Sequence, residues 1–287
     1  MSDDLMIEVA NLTKRYAGRT AVSDISFTVG RGEIVGLLGP NGAGKSTTIA
    51  MSVGILSPDS GSVDIDGKGS PADPAVRNTI GVATQSLALY EDLTARENLH
   101  FFAALYPGAS SSTRARRVED LLRLVGLSDR ATSRVKTFSG GMKRRLNFAA
   151  ALVNEPSLVL LDEPTAGVDP QSRNALFDLV LQLKAQGKTV VYTTHYMEEA
   201  QRLCDRVGIV ERGRLLALGT VNELIAAHGG ESTVHIQRAD AEEAIRTADP
   251  MRELQARMSD PATLGVRVER PNLESVFLNL TGRSLRD

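Results

Sequence analysis

The amino-acid sequence predicts an α/β fold, in which short apolar strands alternate with helices. Apolar runs of strand length alternate with segments of helical periodicity along most of the chain. A glycine-rich segment follows the apolar run at residues 34–38. A second apolar run, at residues 158–161, ends in Asp162 and Glu163, and buried carboxylates at the end of a strand are costly unless something binds them.

The composition is that of an ordinary folded protein. The 287 residues suit one large or two modest domains, and the formal net charge of -2 gives no global positive field, so we expect no nucleic-acid partner. The apolar runs are shorter than the roughly 18–20 residues that a membrane-spanning helix needs. The single Cys204 and the acidic residues 1–4 predict a cytoplasmic location without a secretory leader.

The predicted elements begin with strands, pass through a helical middle and return to alternating strands and helices. Apolar runs predict strands at residues 7–12, 21–29, 34–38, 62–65, 79–83, 158–161, 189–193, 207–210 and 215–217. Helical periodicity predicts helices at about residues 44–53, 99–105, 114–125, 144–153, 171–185 and 197–203, and another after a capping box at residues 220–223. The alternation after residue 155 favours parallel strands joined by helices.

Two segments interrupt or follow this pattern. A helical subdomain is predicted over about residues 86–153, and its first helix follows Thr94 and Glu97, whose spacing is that of a capping box. Residues 231–287 predict a small α+β accessory module, separated from residues 1–228 by the Gly229-Gly230 seam. Its predicted order is a strand at 233–236, a helix at 241–258 interrupted near Pro250, a strand at 264–268 and a helix at 272–280.

Residues 39–46 match the Gly-x4-Gly-Lys-Ser/Thr pattern of a phosphate-binding loop. The glycines let successive amides point at phosphate oxygens, and the following helix N-terminus adds a partial positive charge. Lys45 would neutralise the β- and γ-phosphates, and Ser46 would be a Mg²⁺ ligand. The predicted nucleotide-binding residues here are Gly39, Asn41, Gly42, Ala43, Gly44, Lys45, Ser46 and Thr47. The loop alone leaves kinases, GTPases and motor ATPases open.

Two further segments point toward nucleotide chemistry. Asp162 would hold Mg²⁺ through water, and Glu163 would orient and deprotonate the attacking water. Ser139-Gly140-Gly141 opens a predicted helix and so forms a second anion-binding helix end, although this tripeptide alone is more typical of a flexible turn. Two helix ends directed at phosphate are unusual in a monomer.

Together these residues resemble the ATP-binding cassette of ABC transporters, over about residues 5–228. The matching elements, in the order of that family, are Tyr16, residues 39–46, Gln85, Ser139-Gly140-Gly141, Asp162-Glu163, Ala166-Gly167-Val168-Asp169 and His195. The resemblance implies a P-loop NTPase fold with a RecA-like mixed sheet, an antiparallel β subdomain and a helical subdomain. It also implies that the chain binds ATP and Mg²⁺ and hydrolyses ATP.

The resemblance assigns the remaining roles. Tyr16 would stack on adenine, with a packed strand-end tyrosine as the alternative. Gln85 would contact Mg²⁺ or the attacking water, and His195 would hydrogen-bond the γ-phosphate. Thr84 stands where proline is frequent in the family. This difference bears on how stiff the Gln85 loop is and not on catalysis.

The family also implies a homodimer with two cassettes lying head to tail. Each ATP would contact the phosphate loop of one chain and Ser139-Gly140-Gly141 of the other. Asp169 would reach across this dimer and help to order Glu163. Met142 replaces the glutamine that many members have after these glycines, but the phosphate contacts come from Ser139 and the glycine amides, so we expect activity to survive.

Residues 140–146, 194–200 and 272–278 resemble the ATPase subunits of bacterial drug- and antibiotic-resistance exporters of the daunorubicin-resistance type. That resemblance implies efflux of a drug, antibiotic or lipid-like compound through a separate membrane permease, with the cassettes at the cytoplasmic face of the inner membrane. An importer ATPase shares these motifs and is the alternative, together with a non-transport ABC ATPase. A coiled-coil ABC ATPase of DNA repair is disfavoured, because the segment between Lys45 and Ser139 has no sustained heptads.

Overall fold

The computed structural model describes residues 4–106, 108, 110–258 and 260–285. Residues 1–3, which belong to the acidic start of the chain, lie outside the described residues. The chain divides into two compact units, Met1–Leu218 and Gly219–Asp287. Within the described ranges, no helix is both long enough and apolar enough to cross a membrane.

The first unit alternates strands and helices around a helical middle. Its strands are β1 (Leu5–Tyr16), β2 (Arg19–Gly30), β3 (Ile34–Leu38), β4 (Ser60–Ile65), β5 (Ile80–Ala83), β6 (Leu158–Asp162), β7 (Thr189–Thr194), β8 (Arg206–Glu211) and β9 (Arg214–Gly219). Its helices are α1 (Lys45–Ser52), α2 (Pro74–Arg77), α3 (Ala95–Ala104), α4 (Ser111–Leu124), α5 (Gly140–Ala150), α6 (Pro170–Ala185) and α7 (Met197–Leu203).

The central sheet of this unit has the strand order β5-β6-β7-β3-β8-β9. Neighbouring strands from β5 to β8 run parallel. The edge strand β9 follows β8 after the short Arg212-Gly213 turn, a connection that only antiparallel strands permit. Every residue of β3, β6 and β7 is buried, as expected for apolar strands covered on both faces. The carboxyl ends of the parallel strands therefore meet at one edge of the sheet.

Two further layers complete the first unit. The antiparallel sheet β2-β1-β4 shares one apolar core with α1 and β3. A second core joins α3, α4 and α5 to α6 and the strands β6 and β7. Thr94 and Glu97 form the predicted capping box at the start of α3. The mixed sheet, the antiparallel β subdomain and the helical subdomain confirm the predicted fold class.

The second unit has an α+β composition. It contains α8 (Val221–His228), β10 (Ser232–Gln237), β11 (Glu242–Thr247), α9 (Pro250–Met258), β12 (Gly265–Glu269) and α10 (Leu273–Thr281). Its antiparallel sheet has the order β11-β10-β12. Helix α8 packs against α10 and so groups with this unit, whereas the sequence predicts a boundary at Gly229-Gly230.

The predicted helix at residues 241–258 is wrong over its first half. Glu242–Thr247 is the strand β11, which pairs antiparallel with β10, and α9 begins only at Pro250. Proline is tolerated in the first turn of a helix but not in its interior, so the helix starts there. Ile245 is the one large apolar residue of β11, so the strand has almost no alternation of apolar and polar residues. Such a strand depends on its cross-strand partners for stability.

Candidate nucleotide-binding and hydrolysis site

The predicted catalytic side chains lie at the carboxyl edge of the central sheet. The phosphate loop, residues 39–46, connects β3 to α1, and Gln85 follows β5. Asp162 ends β6 with Glu163 directly after it, and His195 follows β7. Because these strands are neighbours in the order β5-β6-β7-β3, residues far apart in the sequence come together.

Backbone crowding explains two glycines of the phosphate loop. A Cβ on Gly39 would lie 2.1 Å from the carbonyl oxygen of Val210, and one on Gly44 would lie 2.7 Å from that of Ala21. Gly44 also has a φ of 105°, in the left-handed region that favours glycine. Among the described residues no side chain caps α1, which leaves the N-terminal amides of this helix for an anion.

Lys45 is a buried cation at the start of α1. Its ammonium group donates hydrogen bonds to the carbonyl oxygens of Gly39 (2.7 Å) and Pro40 (3.0 Å). The same nitrogen lies 3.1 Å from Oε1 of Glu163, and the side chains of the pair are 3 % and 6 % exposed. The carboxylate thus neutralises a lysine that would otherwise be buried without a counter-ion.

The second carboxylate oxygen of Glu163 faces the other predicted catalytic residues. Nε2 of Gln85 donates a hydrogen bond to Oε2 of Glu163 at 3.3 Å. Nδ1 of His195 lies 3.2 Å from the same oxygen but is not aligned for a hydrogen bond. The backbone N–H of Glu163 donates to Oγ1 of Thr193 at 2.9 Å. Glu163 therefore connects the phosphate-loop lysine to Gln85 and His195.

Asp162 and Ser46 form an oxygen pair beside this carboxylate. Oγ of Ser46 donates to Oδ1 of Asp162 at 3.1 Å, and Oγ1 of Thr193 donates to the same oxygen at 2.7 Å. Mg²⁺ prefers such oxygen ligands and completes its octahedron with waters and substrate phosphates, so these residues fit this ion. We refer to Lys45, Ser46, Gln85, Asp162, Glu163 and His195 together as the Glu163 cluster.

Comparison with known proteins identifies the family. The family model for ABC transporters matches residues 22–166. The linearmycin resistance ATP-binding protein LnrL of Bacillus subtilis (strain 168) is 41% identical over 312 residues, with 98% of this chain and 100% of that protein covered. The chain belongs to the ABC transporter family. The Nod factor export ATP-binding protein I of Burkholderia lata is also 41% identical, over 300 residues that cover 98% of each protein.

Solved ABC cassettes have the same fold. The structure of an ATP-binding subunit of an ABC transporter matches with a TM-score of 0.70 and 36% identity, covering 78% of this chain and 93% of that chain. An ATP-binding cassette solved as a dimer in a post-hydrolysis state, bound to ADP and Pi, matches with a TM-score of 0.69 and 29% identity, covering 75% of this chain and 98% of that chain. These findings confirm an ATP-binding ABC ATPase and the predicted ATPase subunit of an exporter.

Three ABC motif residues lie outside the Glu163 cluster. Ser139 is exposed and caps α5, accepting a hydrogen bond from the backbone of Met142 at 3.2 Å. Asp169 caps α6 in the same way, and hydrogen bonds from the side chain and backbone of Ser172 hold the pKa of its carboxyl below the usual value. Tyr16 is 48 % exposed at the end of β1. Within the part of the chain that the structure describes, none of these three side chains hydrogen-bonds the Glu163 cluster.

The other predicted site residues differ in burial. Asn41, Gly42 and Gly140 are exposed, Thr47 is half-buried, and Ala43 and Gly141 are buried. A Cβ on Gly141 would lie 2.2 Å from Oγ of Ser172, so this glycine allows α5 to approach the start of α6 closely.

Several buried polar residues around the site are not among the site residues predicted from the sequence. Thr193 binds both Asp162 and the backbone of Glu163, and a threonine near the end of a buried strand is a signal that could have identified it. Glu199 is 1 % exposed and accepts hydrogen bonds from Thr165 (2.7 Å), Tyr192 (2.9 Å) and Thr194 (2.7 Å). Tyr192 and Thr194 belong to β7, whereas Thr165 comes from the turn after β6, so only the fold brings this third partner to Glu199.

The loop that carries Gln85 is held by α5. Oδ1 of Asn147 accepts a hydrogen bond from the backbone of Ala88 at 3.1 Å, and Nδ2 of Asn147 donates to the carbonyl oxygen of Thr84 at 3.4 Å. Arg144 donates to the carbonyl oxygen of Gln85 itself. The loop is therefore anchored although Thr84 replaces the proline that is frequent in the family.

Proposed function

We propose that two copies of this chain bind ATP between them and hydrolyse it to drive a separate membrane permease. The observation that carries this proposal is the Glu163 carboxylate, which is buried against Lys45 of the phosphate loop and against Gln85 and His195. A carboxylate beside a phosphate-binding lysine is placed to accept a proton from a water that attacks the γ-phosphate.

In this proposal ATP displaces the Glu163 carboxylate from its contact with Lys45. The triphosphate carries more negative charge than a carboxylate. Its β- and γ-phosphates therefore replace Glu163 as the ionic partner of the Lys45 ammonium group. Glu163 is then released to face the attacking water and accept its proton. Gln85 and His195, which lie at Oε2 of Glu163, orient this water and the γ-phosphate.

Ser46 and Asp162 are the residues that would hold Mg²⁺, with Gln85 beside them. When bound, the ion neutralises charge on the phosphate oxygens. Thr193 fixes the orientation of the Asp162 carboxylate through its hydrogen bond to Oδ1, at 2.7 Å.

Helix α5 supports the pairing of two cassettes. Its N-terminus is exposed at Ser139 and Gly140, and an exposed helix N-terminus of this kind favours an anion. A second copy placed head to tail supplies this helix end to the ATP that the first copy binds. Asp169 then reaches across the dimer, and Tyr16 stacks on adenine. The solved relative that is a dimer bound to ADP and Pi supports the arrangement.

Mixing two inactive variants tests the pairing. Lys45→Ala removes the phosphate-loop cation and Ser139→Arg blocks the helix end, so each variant alone is expected to be inactive. A mixed dimer retains one intact site, made from the Ser139 side of the Lys45→Ala chain and the phosphate loop of the Ser139→Arg chain. Random pairing then restores up to about a quarter of wild-type ATP hydrolysis, because about half of the dimers are mixed and each has one working site of two. A mixture that stays inactive would refute the head-to-tail site.

The proposed cargo is a drug, antibiotic or lipid-like compound that is exported through the permease, while the cassettes lie at the cytoplasmic face of the membrane. Relatives named for linearmycin resistance and Nod factor export support this direction. The test is co-expression of the chain with a candidate permease, followed by measurement of compound efflux against the Lys45→Ala variant. Uptake that depends on Lys45 would instead indicate an importer.

A further inference from the structure

Arg144 connects three parts of the nucleotide site. It lies on the second turn of α5, five residues after the Ser139 cap. Its Nη1 donates to the carbonyl oxygen of Gln85, and its Nη2 donates to the carbonyl oxygen of Ala166 at 3.1 Å. Gln85 belongs to the Glu163 cluster, and Ala166 opens the turn that ends at Asp169. One guanidinium therefore joins the anion-binding helix end to both loops.

The chemistry of arginine suits this connection. Its planar fork presents several N–H donors at fixed angles, so one side chain can bind two carbonyl oxygens on different loops. A lysine ammonium is a single point charge and does not span both in the same geometry. Burial lowers the pKa of the Arg144 guanidinium, whereas the negative charge of Glu163 acts in the opposite direction. The group is therefore partly desolvated and close enough to the Glu163 carboxylate to interact with it.

Asn147 binds the same loop from the same face of α5. Residues 144 and 147 are separated by three positions, which places them next to each other on a helix surface. Asn147 holds the loop on both sides of Gln85, through Thr84 and Ala88, while Arg144 holds Gln85 itself. A movement of α5 relative to the central sheet would therefore also move Gln85.

We propose that Arg144 is a positioning residue for ATP hydrolysis, which fixes the Gln85 loop and the Ala166–Asp169 turn to the helix that presents Ser139. The inference rests on the proposed function, because it matters for catalysis only if Ser139 contacts the ATP of a second copy. Within the described residues, Arg144 itself hydrogen-bonds neither the phosphate loop nor Glu163. Its removal is expected to slow hydrolysis and leave ATP binding to the phosphate loop intact.

Arg145 provides a matched control on the same helix. Its Nη1 donates to the carbonyl oxygens of Val125 (2.7 Å) and Gly126 (3.4 Å), which both follow α4 in the helical subdomain. Arg144→Met and Arg145→Met remove the same number of charges and similar backbone contacts. Only the first change frees the loops of the nucleotide site.

The experiment compares full-length wild type, Arg144→Met, Arg144→Lys and Arg145→Met. For Arg144→Met we expect kcat to fall about tenfold or more, with the Kd for a fluorescent ATP analogue within about twofold of wild type and a melting temperature close to that of Arg145→Met. Arg144→Lys should recover part of kcat, because it keeps the charge and one contact. Equal loss of kcat in Arg144→Met and Arg145→Met, or a parallel loss of ATP affinity, would overturn the proposal.

A spectroscopic measurement separates this inference from the proposed function. The chain has no tryptophan, so Leu87→Trp places a single reporter at an exposed position on the Gln85 loop. In the nucleotide-free protein, Arg144→Met should increase acrylamide quenching of this reporter and Arg145→Met should not. Unchanged quenching in both variants refutes the contact of Arg144 with the loop. Wild type that hydrolyses ATP no faster than Lys45→Ala refutes the proposed function, and with it any catalytic role for Arg144.

Discussion

Glu163→Gln is expected to separate ATP binding from hydrolysis. The substitution keeps the shape of the side chain but removes a negative charge whose Oε1 lies 3.1 Å from Nζ of Lys45. Coulomb's law at this distance gives an attraction of about 5 kcal/mol for an effective dielectric constant of about 20, and about 1.3 kcal/mol in bulk water. Desolvation of the two buried groups offsets much of this attraction.

We expect the substitution to change both the stability and the turnover of the protein. Lys45 keeps its bonds to Gly39 and Pro40, so the nucleotide-free variant should lose about 1–3 kcal/mol of unfolding free energy, less than for a buried cation left with no partner. ATP should reduce this difference between variant and wild type, because its phosphates take the place of the carboxylate at Lys45. Loss of a general base should lower kcat about 10²–10⁴-fold, equivalent to about 2.7–5.5 kcal/mol.

Three measurements test this prediction. Urea unfolding with and without ATP measures the stability difference, a fluorescent ATP analogue measures affinity, and phosphate release measures turnover. Glu198→Gln is the matched control, because Glu198 is an exposed glutamate on α7. A Glu163→Gln variant that keeps more than about a tenth of wild-type turnover would exclude Glu163 as the general base. Weaker ATP binding than in wild type would contradict the exchange at Lys45.

Three further predictions concern the loop, the metal ligand and the thiol. Gly39→Ala should abolish ATP-analogue binding and lower the unfolding free energy by about 1–3 kcal/mol, because its Cβ would lie 2.1 Å from the Val210 carbonyl oxygen. Thr193→Val should cost about 1–3 kcal/mol in urea unfolding and raise the Mg²⁺ concentration needed for half-maximal turnover, since Asp162 and the Glu163 N–H lose a buried partner. Cys204 should react slowly with a thiol reagent at pH 8 in the native protein, because burial raises the pKa of its thiol.

A control, and an outcome that would contradict the expectation, can be stated for each of these three predictions. Gly140→Ala adds a Cβ with nothing within 4 Å, so equal destabilisation in both alanine variants would contradict the crowding at Gly39. Thr20 is exposed, and a Thr20→Val change that costs as much as Thr193→Val would show that the buried hydrogen bonds are not the cause. Rapid reaction of Cys204 without urea, at the rate seen in unfolded protein, would show that the thiol is not protected.

Local patterns predicted the nucleotide-binding half of the site. The phosphate loop depends on steric freedom within a few consecutive residues, and glycine spacing reports that freedom directly. The acids at the end of β6 follow in the same way from a buried strand that stops at Asp162. The first half of the helix predicted over residues 241–258 is wrong for the converse reason, because β11 is a strand through its pairing with β10 and carries little pattern of its own.

The sequence by itself determined the predicted members of the Glu163 cluster: local patterns gave Lys45, Ser46, Asp162 and Glu163, and the resemblance to ABC cassettes added Gln85 and His195. Only the tertiary structure decided which groups meet: the contact of Lys45 with Glu163, the bonds of Thr193 to Asp162 and Glu163, and the reach of Arg144 to Gln85 and Ala166. The physical reason is the strand order β5-β6-β7-β3, which sets distant segments side by side. Backbone geometry within a turn is local, whereas the register between parallel strands depends on the packing of the whole sheet.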